Sequence, residues 1–499
     1  MNPYATATQI IDSIRAGTSK ASEWLELYVE RRVAFNDGLN AIVSTDDESA
    51  LQQARAIDAA VRSGREPGPL CGLPVTVKDG INLRGLPSTG GMLEPAAAIA
   101  AEDAPNVRSL REAGSLLLGK TNVPVGNADW QADNPIFGRT NNPWNPQLTP
   151  GGSTGGGAAA VAAGLSAAEL GSDIGGSIRI PAAFCGLFGH KPSLTALPRS
   201  GHFPRGNVPN PGQVLGVQGP LTRSAGDLAA LLGTMQRADG LEGKGWHLEL
   251  PQPRFDRFTD CRVGVLGLPA WLPVDDSILG AQEELCALLG SRGATVRDLD
   301  VRPHFGELRE YYHDYLALLQ CILAGDFPPE RRSKAARKMR GYGDPFLDAV
   351  ADGLEADAGL MISLLERTER CKSEWERVFS EVDVVLSPVC SSNAFAHDDD
   401  YFYDRVLEVN GEPMPYYRLS ALPALASFAG LPATVFPTGR FDALGAPVGL
   451  QVMGAYLEDH TTIRFAELVE AEHGGFVAPS GQAASRSSAV SSDALRPPA

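Results

Sequence analysis

Three residues of this chain carry the functional groups of nucleophilic acyl transfer: Lys78, Ser153 and Ser177. Both serines lie in the segment 150–189, which is dense in glycine and serine and almost free of charge. Glycine at that density lets backbone N–H groups turn inward and approach a bound group closely. A hydroxyl beside such N–H groups, with a lysine able to take its proton, has the components of a serine nucleophile and its oxyanion site.

Each of the three also has an ordinary structural interpretation. Lys78 lies in an apolar strand, where a charged lysine is costly unless it is paired or deprotonated. Alone, it would equally fit an edge strand with its side chain in solvent. Ser177 follows two glycines, which suits an oxyanion site and also suits a tight turn with an N-cap serine. The prediction of a site therefore depends on the three residues together.

Two better-known motifs occur without the structural context that their chemistry requires. GSLLLGKT (114–121) matches the phosphate-binding pattern GxxxxGK[ST], but its three leucines predict a strand in place of the loop. GGSTG (151–155) matches the nucleophile elbow, but the proline-rich run before it offers no leading strand. An α/β-hydrolase with Ser153 as nucleophile would also need a placed histidine and acid. We expect His190 to be a structural hydrogen-bonding residue.

The composition limits the class of protein. A chain of 499 residues can bury a large core, and its length alone suggests two or three domains. The net charge of −17 argues against nucleic acid or an anionic membrane as partner. Seven cysteines without a CxxC pair fit reduced thiols and a cytoplasmic location. We see no secretory pattern, no apolar run of the ~20 residues that a membrane span needs, and no metal motif.

Short apolar runs bounded by Gly and Pro alternate with helical patterns along the chain. This alternation predicts an α/β fold with a large mixed sheet. We expect a loop-rich segment at 186–226, a charged helical insertion at about 305–382 and a disordered tail at 479–499. The predicted strands are 73–79, 115–121, 166–173, 262–267, 294–301, 382–389, 431–439 and 447–454.

Taken together, these segments resemble the amidase signature family. The run GGSTGGGAAAVAAGLSAAELGSDIGGSIRIPAAFCGLFGHKPS (151–193) is similar to that family's signature region. The resemblance extends to GLPVTVKD, LLGKTNVP, FGRTNNPWNP, FAGLPATVFPTG and PVGLQVMG. It implies one amidase signature domain over 1–478, with a central mixed sheet covered by helices, instead of the two or three domains suggested by length. The triad candidates are 75 and 24 residues apart, as the family's Lys–cis-Ser–Ser triad requires.

The resemblance implies a role for each residue. Ser177 would attack the carbonyl carbon, and Ser153, after a cis peptide bond, would pass the proton to a neutral, buried Lys78. The implied oxyanion hole consists of the backbone N–H groups of Ile174, Gly175, Gly176 and Ser177. The implied loop-support residues are Gly152, Thr154, Asp173 and Arg179.

Two positions depart from the family pattern: Thr154 replaces the usual second serine, and Gly157 stands where serine or alanine is common. We expect little consequence from either. Ile180 stands where the amidotransferase subunit that makes Gln-tRNA usually has glutamine, which argues against that role. Trp130 and Phe137 are expected to wall an apolar acyl or aryl pocket, although both equally fit plain core.

The predicted function is hydrolysis of the C–N bond of carboxylic amides without a cofactor, and it extends to aryl amides, carbamates, urethanes or esters. The alternative, a partner-dependent amidotransferase A-type subunit, stays open. A catalytically silent scaffold is disfavoured because all three triad positions are intact. The expected partner is a small-molecule amide, with no nucleic acid and no membrane, and a homodimer is left open.

Overall fold

The computed structural model describes residues 1–94, 98–202, 214–236 and 242–480. Apolar positions along the helices face the sheet and its covering layers. The α-helices of the described residues are α1 (Ala7–Arg15), α2 (Ala21–Leu39), α3 (Asp47–Arg62), α4 (Pro105–Glu112), α5 (Gly155–Ala162), α6 (Arg179–Cys185), α7 (Ala225–Met235), α8 (Asp276–Ser291), α9 (Arg302–Phe305), α10 (Leu308–Leu323), α11 (Pro329–Arg340), α12 (Pro345–Leu354), α13 (Ala358–Glu381), α14 (Ala421–Phe428) and α15 (Asp459–His473).

The strands of the described residues form one large mixed sheet and one separate hairpin, which consists of β10 and β11. The order in the large sheet is β1-β3-β2-β4-β6-β5-β12-β13-β9-β7-β8. The strands are β1 (Ile42–Ser44), β2 (Pro74–Lys78), β3 (Leu116–Thr121), β4 (Ala168–Asp173), β5 (Phe188–Lys191), β6 (Val217–Thr222), β7 (Arg262–Leu266), β8 (Thr295–Leu299), β9 (Val384–Pro388), β10 (Val406–Val409), β11 (Glu412–Pro415), β12 (Ala433–Phe441) and β13 (Pro447–Met453).

The predicted α/β fold with a single large mixed sheet covered by helices is confirmed. Strands β2, β3 and β4 run parallel to one another, whereas β6, β5, β12 and β13 pair antiparallel. All residues of β2, β3 and β4 are buried, as expected for a sheet that is covered on both faces. The segment 114–121 is a strand, as its leucines predict.

The helical insertion is also confirmed: α10 to α13 occupy most of the segment between 308 and 381. Helix α10 buries three tyrosines, Tyr311, Tyr312 and Tyr315, which contact α14, the segment before α14 and the turn after β4, respectively. Their hydroxyls donate to backbone carbonyl oxygens, which is how a buried tyrosine satisfies its polar end. The insertion therefore reaches the sheet through an aromatic face.

The prediction of a loop-rich segment at 186–226 is wrong in part, because β5 and β6 lie inside it. Strand β6 contains Pro220, which removes a ladder donor and makes the run unlike a central strand. Strand β5 contains His190, a polar residue that the fold satisfies with buried partners. Pro204, Pro209 and Pro211, and tail residues 481–499, lie outside the described residues. In the described ranges, no helix has both the length and the apolarity to cross a bilayer.

Candidate active site

Parallel pairing brings the ends of β2 and β4 to one edge of the sheet. Lys78 is the last residue of β2, and Asp173 is the last residue of β4. The register pairs Thr76 with Glu169, so the two strands end close together. The turn after Asp173 carries Ser177 and leads into α6. Ligands of α/β proteins bind at such carboxyl ends, which makes this edge the candidate active site.

The glycine run before Ala158 lets α5 approach this sheet edge closely. A Cβ on Gly156 would lie 2.3 Å from the backbone nitrogen of Asn122, and a Cβ on Gly157 would lie 2.4 Å from Cδ of Glu169. A side chain at Gly156 would force the helix away from this backbone, whereas one at Gly157 would meet the side chain of Glu169. The close approach of α5 also holds Ser153, which precedes the helix, next to Lys78.

The Lys78 ammonium nitrogen lies among three oxygen acceptors. It is 2.7 Å from Oγ of Ser153, 3.1 Å from Oγ1 of Thr154 and 3.3 Å from the carbonyl oxygen of Ser172. Burial lowers the pKa of Lys78 to about 7, against the opposing charges of Asp173 and Glu169. A large share of these side chains is therefore neutral near pH 7 and able to accept a proton.

The peptide bond between Gly152 and Ser153 is cis, as the resemblance implied. A Cβ on Gly152 would lie 2.6 Å from the carbonyl oxygen of Asp129, so this position requires glycine. The Thr154 hydroxyl accepts from Nζ of Lys78 and donates to the carbonyl oxygen of Ser172. The Thr154 amide donates to the carbonyl oxygen of Ser177 at 3.1 Å and joins the two serine loops.

Exposure increases in the order of the proposed proton path. Lys78 is 0% exposed, Ser153 is 1% exposed and Ser177 is 6% exposed. All three residues are buried, and Ser177 is the most accessible of them.

The loop that carries Ser177 is braced by a buried ion pair. Asp173 accepts hydrogen bonds from the amides of Gly176 and Ile178 and from the guanidinium of Arg179. Burial alone would raise the pKa of Asp173, but the charge and hydrogen bonds of Arg179 outweigh burial and lower that pKa to about 2. The predicted brace between Asp173 and Arg179 is present, and Arg179 also donates to Ser427 at 2.9 Å.

One implied oxyanion donor is already occupied. The Gly176 amide donates to Oδ1 of Asp173 at 2.9 Å, so it is not available to an oxyanion. The amides of Ile174, Gly175 and Ser177 donate to no other residue of the described ranges. The oxyanion hole consistent with this geometry therefore has these three N–H groups in place of the four that the resemblance implied.

Trp130 and Phe137 lie in different surroundings. The Trp130 indole nitrogen donates to the carbonyl oxygen of Gly175 at 3.0 Å, which places this ring against the candidate oxyanion loop. The Phe137 carbonyl accepts from the side-chain amide of Asn40, in a turn closed by Asn134. Among the described residues, no recorded hydrogen bond or ring contact joins Phe137 to the triad. The structure therefore supports a position near the site for Trp130 alone.

Two residues that the sequence did not single out lie next to this site. The Tyr315 hydroxyl of α10 donates to the carbonyl oxygen of Ile174 at 3.2 Å. Glu169 of β4 is buried and pairs in register with Thr76, two residues before Lys78. Glu169 had the same sequence signal as Lys78, a charged residue inside an apolar strand, whereas Tyr315 had none because it lies 141 residues from Ile174.

Comparison with known proteins identifies the family and agrees with the fold. The amidase family model matches residues 23–463 of the chain. The chain belongs to the amidase signature family. A solved bacterial aryl acylamidase of this family has a TM-score of 0.77 and 25% identity, over 94% of this chain and 96% of that one. A second solved amidase has a TM-score of 0.74 and 28% identity, over 94% of this chain and 100% of that one.

Curated relatives of similar identity have two different activities. The A-type subunit of glutamyl-tRNA(Gln) amidotransferase from Synechococcus sp. (strain RCC307) is 30% identical, over 92% of this chain and 95% of that protein. The indoleacetamide hydrolase of Bradyrhizobium diazoefficiens is also 30% identical, over 91% of this chain and 84% of that protein. Identity alone therefore does not separate a hydrolase from an amidotransferase component.

Proposed function

We propose that this amidase family member is a serine hydrolase that cleaves the C–N bond of carboxylic amides through an acyl-enzyme on Ser177. The observation that supports this most strongly is the 2.7 Å contact between Nζ of Lys78 and Oγ of Ser153 in a fully buried setting. A neutral lysine beside a serine hydroxyl is a proton acceptor of the kind that activates a serine nucleophile.

Acylation joins Oγ of Ser177 to the carbonyl carbon of the substrate. The proton of Ser177 passes to Ser153, which passes its own proton to Lys78. The carbonyl oxygen becomes an oxyanion that the amides of Ile174, Gly175 and Ser177 stabilise. When the oxyanion collapses, the C–N bond breaks and the proton on Lys78 returns through Ser153 to the leaving nitrogen. An amine departs, and Ser177 holds the acyl group as an ester.

Deacylation repeats these steps with water as the nucleophile. Water bonds to the ester carbon while its proton passes through Ser153 to Lys78. Collapse of the second oxyanion breaks the bond to Oγ of Ser177, and the proton returns to that oxygen. The products are a carboxylic acid and the free enzyme, and the cycle requires no cofactor.

Amides with an aromatic group are the substrate class that we propose first. Trp130 lies against the oxyanion loop and packs on Phe402 and Tyr416, with ring centroids 5.3 and 5.4 Å apart. Aromatic walls of this kind favour flat, apolar substituents. The aryl acylamidase and the indoleacetamide hydrolase among the relatives are named for aromatic amides. Esters and carbamates are the substrate classes that we propose next, because their carbonyl groups form the same type of covalent intermediate on Ser177.

A partner-dependent component of an amidotransferase is the second candidate, and the relatives named as glutamyl-tRNA(Gln) amidotransferase favour it. Ile180, which argued against this role, is fully buried, and its side chain packs beneath Gly176. The difference at this position therefore acts on the packing of the Ser177 loop. It does not report on a contact with another protein.

Hydrolysis by the purified chain alone distinguishes the two candidates. The substrates are a panel of aromatic anilides, aliphatic amides, esters and carbamates, with Ser177→Ala as the inactive control. Turnover of an anilide without any added protein supports the hydrolase. Turnover that appears only when a partner protein is added would replace it with the amidotransferase role.

We also propose that the protein acts in the cytoplasm on a small-molecule amide. All seven cysteines are free thiols and five of them are buried, which suits a reducing compartment. Reduced thiols in protein isolated under alkylating conditions would support this location, and disulfides would contradict it.

A further inference from the structure

A buried carboxyl group lies on the same face of the sheet as Lys78. Glu169 of β4 pairs with Thr76 of β2, and Lys78 follows Thr76 by two residues. Thr121 of β3 pairs with Lys78, and its hydroxyl donates to Oε1 of Glu169 at 2.6 Å. Because residues two apart along a strand share a face, Glu169 is the diagonal neighbour of Lys78 across the β2–β4 pair.

Gly157 of α5 makes room for this carboxyl group. A Cβ at that position would lie 2.4 Å from both Cδ and Oε1 of Glu169. The glycine that we expected to be of little consequence is therefore matched to the glutamate opposite it. Any side chain at Gly157 would displace the carboxyl group from the face that Lys78 occupies.

The charged groups that lie near Glu169 are lysines. Within the described ranges, its Oε2 atom is buried and has no hydrogen-bond partner. The charged groups that face it are Lys78 of β2 and Lys120 of β3, while α5 and β6 contribute no ionisable side chain. Lys120 is held by the carbonyl oxygens of Asp79 and Ile81 and by Ser88.

These two lysines differ in the groups that their side-chain nitrogens contact. Lys120 is bound to backbone acceptors, whereas Lys78 contacts the hydroxyl groups of Ser153 and Thr154. Burial raises the pKa of Glu169 to about 7, against the hydrogen bond from Thr121 and the charges of Lys78 and Lys120. Its proton equilibrium falls in the same pH range as that of Lys78.

We propose that Glu169 is a positioning residue for the catalytic base: its buried carboxylate stabilises the ammonium form of Lys78 and so sets the pH at which Lys78 becomes a neutral proton acceptor. This inference rests on the proposed function of Lys78. The carboxylate does not touch the substrate. It favours the ammonium that forms whenever Lys78 takes the proton of Ser153, and Asp173 at the end of β4 acts on Lys78 in the same direction.

The sign of the effect follows from the charges. Replacing Glu169 by glutamine removes a negative charge near Lys78, so the ammonium loses its proton at lower pH. Lys78 then stays neutral down to a lower pH. The acid limb, which is the fall in the reaction rate of Ser177 on the acid side of the pH profile, therefore moves to lower pH. For charges about 7–8 Å apart at an intermediate dielectric, the expected shift is about one pH unit.

The rate of fluorophosphonate labelling of Ser177, measured as a function of pH, tests this without knowledge of the substrate. Glu169→Gln and Glu169→Met should both move the acid limb about one pH unit lower. Glu470→Gln is the matched control, because burial also raises the pKa of Glu470 to about 7 although it lies on α15 and accepts from Ala225. Its limb should stay at the wild-type position.

Two outcomes would overturn the proposal: an acid limb at the wild-type pH in both Glu169 variants, or a limb that moves for methionine and not for glutamine. The second would mean that side-chain shape, and not charge, is responsible. Thermal unfolding of each variant separates loss of fold from loss of charge, and either variant alone suffices if the other fails to fold. Failure of the proposed function looks different, because the wild-type Ser177 would then take no label at any pH.

Discussion

Replacing Lys78 by methionine is expected to remove a titration near pH 7 from the rate at which Ser177 reacts with a fluorophosphonate. Methionine has a similar length and fills irregular space well, so the packing around Ser153 and Thr154 should persist. What disappears is the buried amine that contacts Ser153 and can accept its proton through a lowered pKa. The substitution therefore tests the base role directly.

The size of the effect follows from the pKa of Lys78. With burial lowering that pKa from 10.5 to about 7, about half of the side chains are neutral at pH 7. At the ordinary pKa only about one in 3000 would be neutral. The wild-type rate should fall about tenfold per pH unit below pH 7, and loss of the base should cost about 10²–10⁴-fold on the plateau.

Lys191→Met is the matched control. Lys191 is equally buried, and burial lowers its pKa to about 7 as well. Its Nζ, however, donates to the carbonyl oxygens of Leu431 and Pro192, at 2.6 and 3.0 Å, and not to a serine hydroxyl. The assay is the rate of Ser177 phosphonylation by a fluorophosphonate, which releases fluoride, in buffers that span the ordinary pKa values of histidine and lysine.

Lys191→Met should keep the acid limb near pH 7, and Lys78→Met should lose the limb together with most of the rate. A Lys78→Met enzyme with the wild-type rate and an unchanged limb would refute the base role. The base role would also be refuted if the acid limb disappeared in Lys191→Met and persisted in Lys78→Met.

Two further predictions concern the loops around Ser177. Asp173→Asn should lower the free energy of unfolding at neutral pH by about 3–5 kcal/mol, because it leaves Arg179 buried without its counter-charge. The pKa of Asp173 in the wild type is about 2, against an ordinary 3.8, so the wild type should lose stability as the pH falls from about 4 to 2. The variant should lack this loss, and chemical denaturation at each pH measures both effects. A change below about 1 kcal/mol would contradict this. Trp130→Phe should lower kcat/KM for an anilide about tenfold by removing the hydrogen bond to Gly175, whereas Trp144→Phe, which loses a similar indole–carbonyl bond to Cys185, should lower it much less. Equal losses in the two variants would argue against a specific role for Trp130.

The sequence predicts the elements whose burial follows from local pattern. Strands β2 and β3 are short apolar runs, and β2, β3 and β4 each lie fully buried within a residue or two of their predicted ends. The same patterns separate GSLLLGKT from a phosphate loop, because three consecutive leucines suit a buried strand. Local pattern also suffices for His190, which is a structural residue held by Thr434 and Asp459.

What the sequence does not predict depends on contacts between distant segments. Nothing local indicates that Tyr315 meets Ile174 across 141 residues. Nothing in the order of residues shows that Gly176 donates to Asp173 and leaves three oxyanion amides. Phe137 and Trp130 are both aromatic residues of one segment, and the sequence does not distinguish them. Only the fold shows that Trp130 lies against the loop that carries Ser177.

Glu169 is a residue whose burial could have been suspected from the sequence. A glutamate inside the apolar run before Gly171 breaks the pattern of a buried strand, as Lys78 does in β2. A buried charge needs a partner or a changed pKa, so each of the two was a reason to search for the other. The pairing itself becomes evident only from the register of β2 and β4.

Ser177, and not Ser153, is the nucleophile that we propose. The most direct measurement is peptide mapping by mass spectrometry after fluorophosphonate treatment of the wild type, Ser177→Ala and Ser153→Ala. We expect the label on Ser177 in the wild type, a slower reaction at the same residue in Ser153→Ala, and no label in Ser177→Ala. A label on Ser153, or any label at the active site of Ser177→Ala, would contradict the account.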